Sequence, residues 1–149
     1  MNISPDSDVK TTTANNCLLD TSIWLAILNR TDIRHLVARK AFEKNWKQVF
    51  ATNAVLTETM YMVRHYKGAG SACLDHVING AVQLVHLDRP ELARVKGLMG
   101  KYSDVPMSFA DATLVVAGEK LNITTVLTLD RRGFDAYRMY DSSSFNVLP

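Results

Sequence analysis

Four acidic residues carry the chemistry this sequence offers: Asp20, Glu58, Asp111 and Asp130. Asp20 closes Cys17-Leu18-Leu19, Asp130 follows Thr125-Val126-Leu127-Thr128-Leu129, and Asp111 is embedded in Phe109-Ala110-Asp111-Ala112-Thr113-Leu114-Val115-Val116. Glu58 lies three residues after Val55 and four before Met62, so helical spacing sets it on an apolar stripe with Val55, Met62, Val63 and Tyr66. An ionised carboxylate taken out of water is costly unless something compensates its charge. Four that converged would need a bound divalent cation. Oxygen ligands with no His or Cys pattern beside them suit Mg²⁺ or Mn²⁺ rather than zinc. One or two such ions can activate a water and stabilise the leaving oxygen in phosphodiester hydrolysis.

Each acid also has an ordinary structural use. Asp20 is placed to cap a helix starting at Thr21, and Asp130 to cap the turn containing Arg131 and Arg132. Ser108-Phe109-Ala110-Asp111 has the form of a capping box. Glu58 resists such an account, because it is past the first turn of its helix and neither Arg64 nor Lys67 stands at a helical offset that would pair with it.

The elements that must position these acids alternate. Residues 17 to 20 read as a buried strand and Thr21 to Asn29 as a helix. Asp32 is expected to cap a second helix reaching about Phe50, with Leu36, Ala41, Phe42 and Trp46 as its apolar contacts. A short strand around Val49 to Thr52 and a helix from Thr52 or Asn53 through Tyr66 follow, then a short helix over Ser71 to Asn79 and a strand over Val82 to Leu87. Asp88 and Pro90 open a helix to about Tyr102, and another runs from after Pro106 to about Leu121-Asn122. Ile123 to Leu129 is rich in β-branched residues and reads as a strand, with a short turn or helix at Asp130 to Phe134 and edge strands near Tyr137 to Tyr140 and Phe145 to Leu148. Alternation of this kind implies an α/β fold with a mainly parallel sheet covered by helices on both faces, and sites in such sheets form at the carboxyl ends of the strands.

The chain has 149 residues, about one domain, with 47% hydrophobic and 21% charged residues, as in an ordinary globular protein. Its net charge of +2 is too small to argue for nucleic acid by itself. Setting the four acids aside leaves 17 basic against 11 acidic residues, +6, which would suit a polyanion approaching a metal-filled acidic pocket. Cys17 and Cys73 have neither a zinc-ligand spacing nor the form of a disulfide framework, which points to a reduced, cytoplasmic protein. Residues 1 to 16 are polar and read as a disordered tail, leaving 17 to 149 as the folded domain. No apolar run approaches the roughly 20 residues that would cross a bilayer.

Taken in order, Leu19-Asp20-Thr21-Ser22, Leu56-Thr57-Glu58, Tyr102-Ser103-Asp104-Val105-Pro106, Ala110-Asp111-Ala112 and Thr128-Leu129-Asp130-Arg131-Arg132-Gly133-Phe134 resemble the motifs of the PIN domain, and specifically of VapC-type toxin ribonucleases. The resemblance runs from about Asn16 to the C-terminus. It implies a three-layer α/β/α fold and a single-strand-directed endoribonuclease that depends on Mg²⁺ or Mn²⁺. By motif position Asp20, Glu58, Asp111 and Asp130 match the acidic quartet of the family, Thr128 the hydroxyl residue that helps hold the site, and Asp104 an additional acid found in some members. It also implies a cognate, VapB-like antitoxin lying across a groove, and a homodimer. By analogy the antitoxin would contact the first two helices near Trp24, Ile27 and Leu28.

Arg131 and Arg132 are candidates for RNA phosphate contact, with solvated surface charge as the alternative. Trp24 and Trp46 are better explained by packing than by base stacking, and the four histidines share no ligand spacing. Two other functions remain open: a PIN nuclease of RNA maturation or decay, and a binding module that has lost its metal. An aspartyl phosphatase would want a second acid two residues after Asp20, where Ser22 stands.

Overall fold

The computed structural model describes residues 15–149. Asn15 is held by the Lys47 amide, which donates to its carbonyl over 3.1 Å; the rest of the expected tail, residues 1 to 14, lies outside the described residues.

The elements follow in the order β1 (Cys17–Leu19), α1 (Thr21–Leu28), α2 (His35–Phe42), β2 (Val49–Thr52), α3 (Asn53–Met62), α4 (Ala69–Ile78), β3 (Gln83–Val85), α5 (Arg89–Lys101), α6 (Phe109–Leu121), β4 (Thr125–Leu127), α7 (Arg131–Ala136) and β5 (Asn146–Leu148). The strands form one sheet, order β3-β2-β1-β4-β5, in which every pairing is parallel. Central strand β1 has no exposed residue, as expected of a parallel strand covered on both faces.

The chain steps outward from β1 to β2 and β3, then crosses back to add β4 and β5 on the other side of β1. Right-handed crossovers therefore put α1 to α4 over one face and α5 to α7 over the other. The reversal makes the carboxyl ends of β1 and β4 the switch point of the sheet, the place where open α/β sheets put their ligand sites. Their register, Leu18 to Val126 and Leu19 to Leu127, delivers Asp20 and Thr128 side by side just beyond it.

Helix α6 is the most deeply buried, with every residue from Ala112 to Gly118 in the core. Gly118 lets it lie against the sheet: a Cβ there would stand 2.8 Å from the Ile123 carbonyl oxygen and 3.1 Å from Leu18 Cδ1.

Several boundaries differ from the sequence expectation. Helix α2 stops at Phe42 because Trp46 turns back, its indole N–H donating to the Ala41 carbonyl over 2.8 Å; Leu36 points to solvent at 68% exposure. Asp32 does not cap that helix directly, but its Oδ1 accepts from the Arg34 amide one turn before it. Helix α3 stops at Met62, and Met62 and Tyr66 are exposed while Val55, Thr59 and Val63 are buried. The apolar stripe around Glu58 is therefore narrower than its spacing implied, and Glu58 stands half-buried at its margin. The segment from Tyr137 to Tyr140 forms no strand, only an isolated antiparallel bridge between Arg138 and Ser144.

Candidate active site

Asp20 is the anchor. It follows β1, caps α1, and is 3% exposed. Its Oδ2 accepts from the Ser22 hydroxyl at 2.7 Å, the Thr128 hydroxyl at 2.7 Å and the Ser22 amide at 3.4 Å. Burial pushes its carboxyl above the ordinary range, and these hydrogen bonds, which favour the ionised form, oppose that push.

The Ser22 and Thr128 hydroxyls are themselves 3.2 Å apart, and both reach the segment after β4. Ser22 Oγ accepts from the Leu129 amide at 2.9 Å, and Thr128 Oγ1 from the Asp130 amide at 2.9 Å. The backbone leading to Asp130 is thus fastened to the start of α1. Asp130, which is exposed, caps α7, its Oδ1 accepting from the Gly133 amide at 3.3 Å.

Glu58 arrives from α3, where Thr21 next to Asp20 donates its hydroxyl to Glu58 Oε2 over 2.7 Å. Asp111 arrives from the first turn of α6. The capping box is present there: Ser108 Oγ accepts from the Asp111 amide at 3.0 Å, and Asp111 Oδ2 from the Ser108 amide at 3.1 Å. Asp111 is raised to about 6, first by burial and then by the negative charge of Asp20 nearby.

Tyr137 donates its hydroxyl to Asp111 Oδ2 over 3.2 Å. Its own phenol is held well above its usual range, by burial first and then by the charges of Asp111, Asp130 and Asp20, so it keeps its proton and has it to donate.

A common pattern runs through the quartet. Asp20, Asp111, Asp130 and Glu58 each take their side-chain hydrogen bonds, among the described residues, through a single oxygen: Oδ2, Oδ2, Oδ1 and Oε2 respectively. The second oxygen of each is left for another partner. The donor set is oxygen alone and suits a hard divalent cation. Among the described residues no three His, Cys, Asp or Glu side chains are drawn into a ready cluster of ligands, so the acids are gathered at one end of the sheet without being in ligating contact.

The other candidates separate. Asp104 is exposed in the turn after α5 and is hydrogen-bonded to none of the four acids. Arg131 turns its guanidinium to the C-terminal strand, donating to the carbonyls of Pro149 at 2.8 Å and Val147 at 3.4 Å. Arg132 is exposed. Trp24 is fully buried, its indole N–H donating to His76 Nδ1 over 3.0 Å, so neither a base nor a partner protein can reach it; Trp46 is half-buried. Ile27 and Leu28, by contrast, line a groove of about 610 Å³ with Arg30, His35, Phe42 and His76.

Sequence reasoning missed Tyr137, Thr21 and Ser22. The hydroxyls of Thr21 and Ser22 adjoin Asp20 in sequence and could have been weighed as its partners. Nothing in the sequence points to Tyr137, which stands 26 positions from Asp111.

No described helix is long and apolar enough to cross a membrane. Residues 17–139 match the model of the PIN domain. A ribonuclease of Mycobacterium tuberculosis, VapC26, is 28% identical over 134 residues, covering 89% of this chain and 99% of that protein. Among solved structures, M. tuberculosis VapC20, described as a sarcin-ricin loop cleaving toxin, superposes with a TM-score of 0.75 at 22% identity, covering 89% of this chain and 99% of the other. A chain of VapBC2 from Rickettsia felis, solved bound to a DNA fragment from its promoter, gives 0.63 at 14% identity over 90% of this chain and 99% of the other. The matched span contains β1 to β4 and all four acids, and the chain belongs to the PIN domain family.

Proposed function

We propose that this protein is a metal-dependent endoribonuclease toxin that hydrolyses RNA phosphodiester bonds and is held inactive by a cognate antitoxin. The observation that carries this reading is the bonded chain at the switch point of the sheet, in which Thr128, Ser22, Thr21 and Tyr137 each hold a member of the acidic quartet by one carboxylate oxygen.

Asp20, Glu58, Asp111 and Asp130 are the residues that would hold Mg²⁺ or Mn²⁺. Bound there, the metal would supply water activation and neutralise charge developing on the leaving oxygen. The chain's own contribution is positioning. Thr128 and Ser22 fix Asp20, Thr21 fixes Glu58, and the Ser108 amide fixes Asp111. Arg132, exposed on the first turn of α7, is the better placed of the two arginines for RNA phosphate, since Arg131, though also exposed, has its Nη1 engaged by the Val147 and Pro149 oxygens. Asp104 is at most an outer contributor.

The ribonuclease and toxin assignment draws on the names of the relatives. The partner we assign is a VapB-like antitoxin, with a segment along the groove of Ile27, Leu28 and Phe42, and the toxin we take to be a homodimer.

The test is to induce the wild-type chain and Asp20→Asn in cells lacking an antitoxin and to sequence RNA ends. New ends and growth arrest with the wild type alone are expected. Identical RNA ends from both would overturn the assignment, and site-specific cleavage without arrest would move the protein to RNA maturation.

A further inference from the structure

We propose that Tyr137 is a positioning residue of this site, holding the Asp111 carboxylate through its hydroxyl in a gap that is open only because residue 133 is glycine. The inference rests on the reading of the four acids as metal ligands, and extends it to a residue outside the quartet.

Tyr137 is 1% exposed, and its amide donates to the Gly133 carbonyl over 3.1 Å, closing α7. Its ring meets Tyr102 and Phe134 edge-on, each at 5.2 Å between centroids and at interplanar angles of 67° and 74°. Two edge contacts of this kind leave the ring little freedom to turn. The hydroxyl is therefore presented at a fixed place, 3.2 Å from Asp111 Oδ2.

That place is crowded. A Cβ on Gly133 would lie 2.9 Å from the Tyr137 hydroxyl oxygen, 3.2 Å from its Cζ and 3.0 Å from Asp130 Oδ2. The phenol tip and the Asp130 carboxylate thus both close over the bare α-carbon of residue 133. An uncharged hydroxyl there donates to one carboxylate beside another, where a cationic side chain would pair with them and compete with the metal for both.

Asp111 takes this bond on the oxygen that also accepts from the Ser108 amide, so the two donors together set which way the other oxygen faces. Groups that orient a ligating side chain in this way typically contribute about 10- to 100-fold in metal affinity or activity.

The experiment is Mn²⁺ titration by calorimetry of the purified full chain, wild type, Tyr137→Phe, Gly133→Ala and Asp20→Asn, with thermal melts of each and steady-state cleavage of an RNA. Tyr137→Phe keeps the ring and its packing, and should weaken Mn²⁺ binding about tenfold and lower kcat while leaving KM for RNA unchanged. Gly133→Ala would press on both the Tyr137 hydroxyl and Asp130 Oδ2 and should weaken Mn²⁺ binding, so it tests the need for glycine in the gap, while Tyr137→Phe tests the hydroxyl itself. Binding lost in Asp20→Asn but within twofold of wild type in Tyr137→Phe, with only the melting temperature lowered, overturns the positioning role and leaves the metal site standing. Binding unchanged in Asp20→Asn as well overturns both.

Discussion

Thr128 donates its hydroxyl to Asp20 Oδ2 over 2.7 Å, a bond between residues 108 positions apart that joins the carboxyl ends of two neighbouring parallel strands. Thr128 Oγ1 in turn accepts from the Asp130 amide, so one hydroxyl couples two members of the quartet. A hydrogen bond to a charged group contributes about 1.5–3 kcal/mol, or roughly ten- to a hundredfold in an equilibrium or rate. Thr128→Val, which keeps the volume and removes the hydroxyl, is expected to lower RNA cleavage by about that factor at saturating Mn²⁺. Thr128→Ser should retain most of it. Wild-type turnover in Thr128→Val would show that Ser22 alone suffices to hold Asp20.

Much of this site was visible in the sequence, for reasons that differ from residue to residue. Asp20 was legible because a buried strand ends where it stands, and Asp111 because Ser108 and Asp111 have the spacing of a capping box. For Asp111 the structural and chemical uses are not alternatives: the carboxylate that closes the box is the one facing Asp20. Glu58 was singled out by a stripe that includes Met62 and Tyr66, yet both are exposed, and what holds Glu58 is a hydroxyl from α1. Periodicity finds the face of a helix but not where that face stops being covered. The sheet order and the role of Tyr137 were out of reach, because both depend on which distant elements meet. Arg131 could not be told from Arg132 until the C-terminal carbonyls were seen to take it.

Gly118, the one glycine on the buried helix that carries Asp111, should be costly to fill. A methyl group there would press on the Ile123 carbonyl at 2.8 Å, and backbone cannot swing aside as a side chain can. Overpacking of this kind costs about 1–3 kcal/mol, which for a chain of this size corresponds to a fall of roughly 3–10 °C in melting temperature. Gly97 on α5 is the control: a Cβ there meets nothing within 4 Å, so Gly97→Ala should raise stability by up to about 1 kcal/mol. Thermal melts of both variants decide it, and a neutral Gly118→Ala would mean that α6 is less tightly seated on β1 than the distances imply.

Asp111 makes the metal-free protein pay at neutral pH for holding a carboxylate beside Asp20. Its carboxyl is raised from 3.8 to about 6, so the folded state binds this proton more tightly than the unfolded chain does. Stability from this group is therefore fully present below about pH 4 and is lost as pH rises through about 6. At pH 7.5 the deficit is on the order of 2–3 kcal/mol. Asn at position 111 keeps an oxygen that can accept from the Ser108 amide and the Tyr137 hydroxyl, but carries no charge. In the presence of a chelator, Asp111→Asn should accordingly melt several degrees above wild type at pH 7.5, with the gap closing toward pH 4. Saturating Mn²⁺ should reverse the order, since a cation that binds only the folded state stabilises the chain able to hold it. Melts across this pH range, with and without Mn²⁺, test both halves. A variant less stable than wild type at pH 7.5 in chelator would mean that Asp111 is a structural cap whose charge the fold requires.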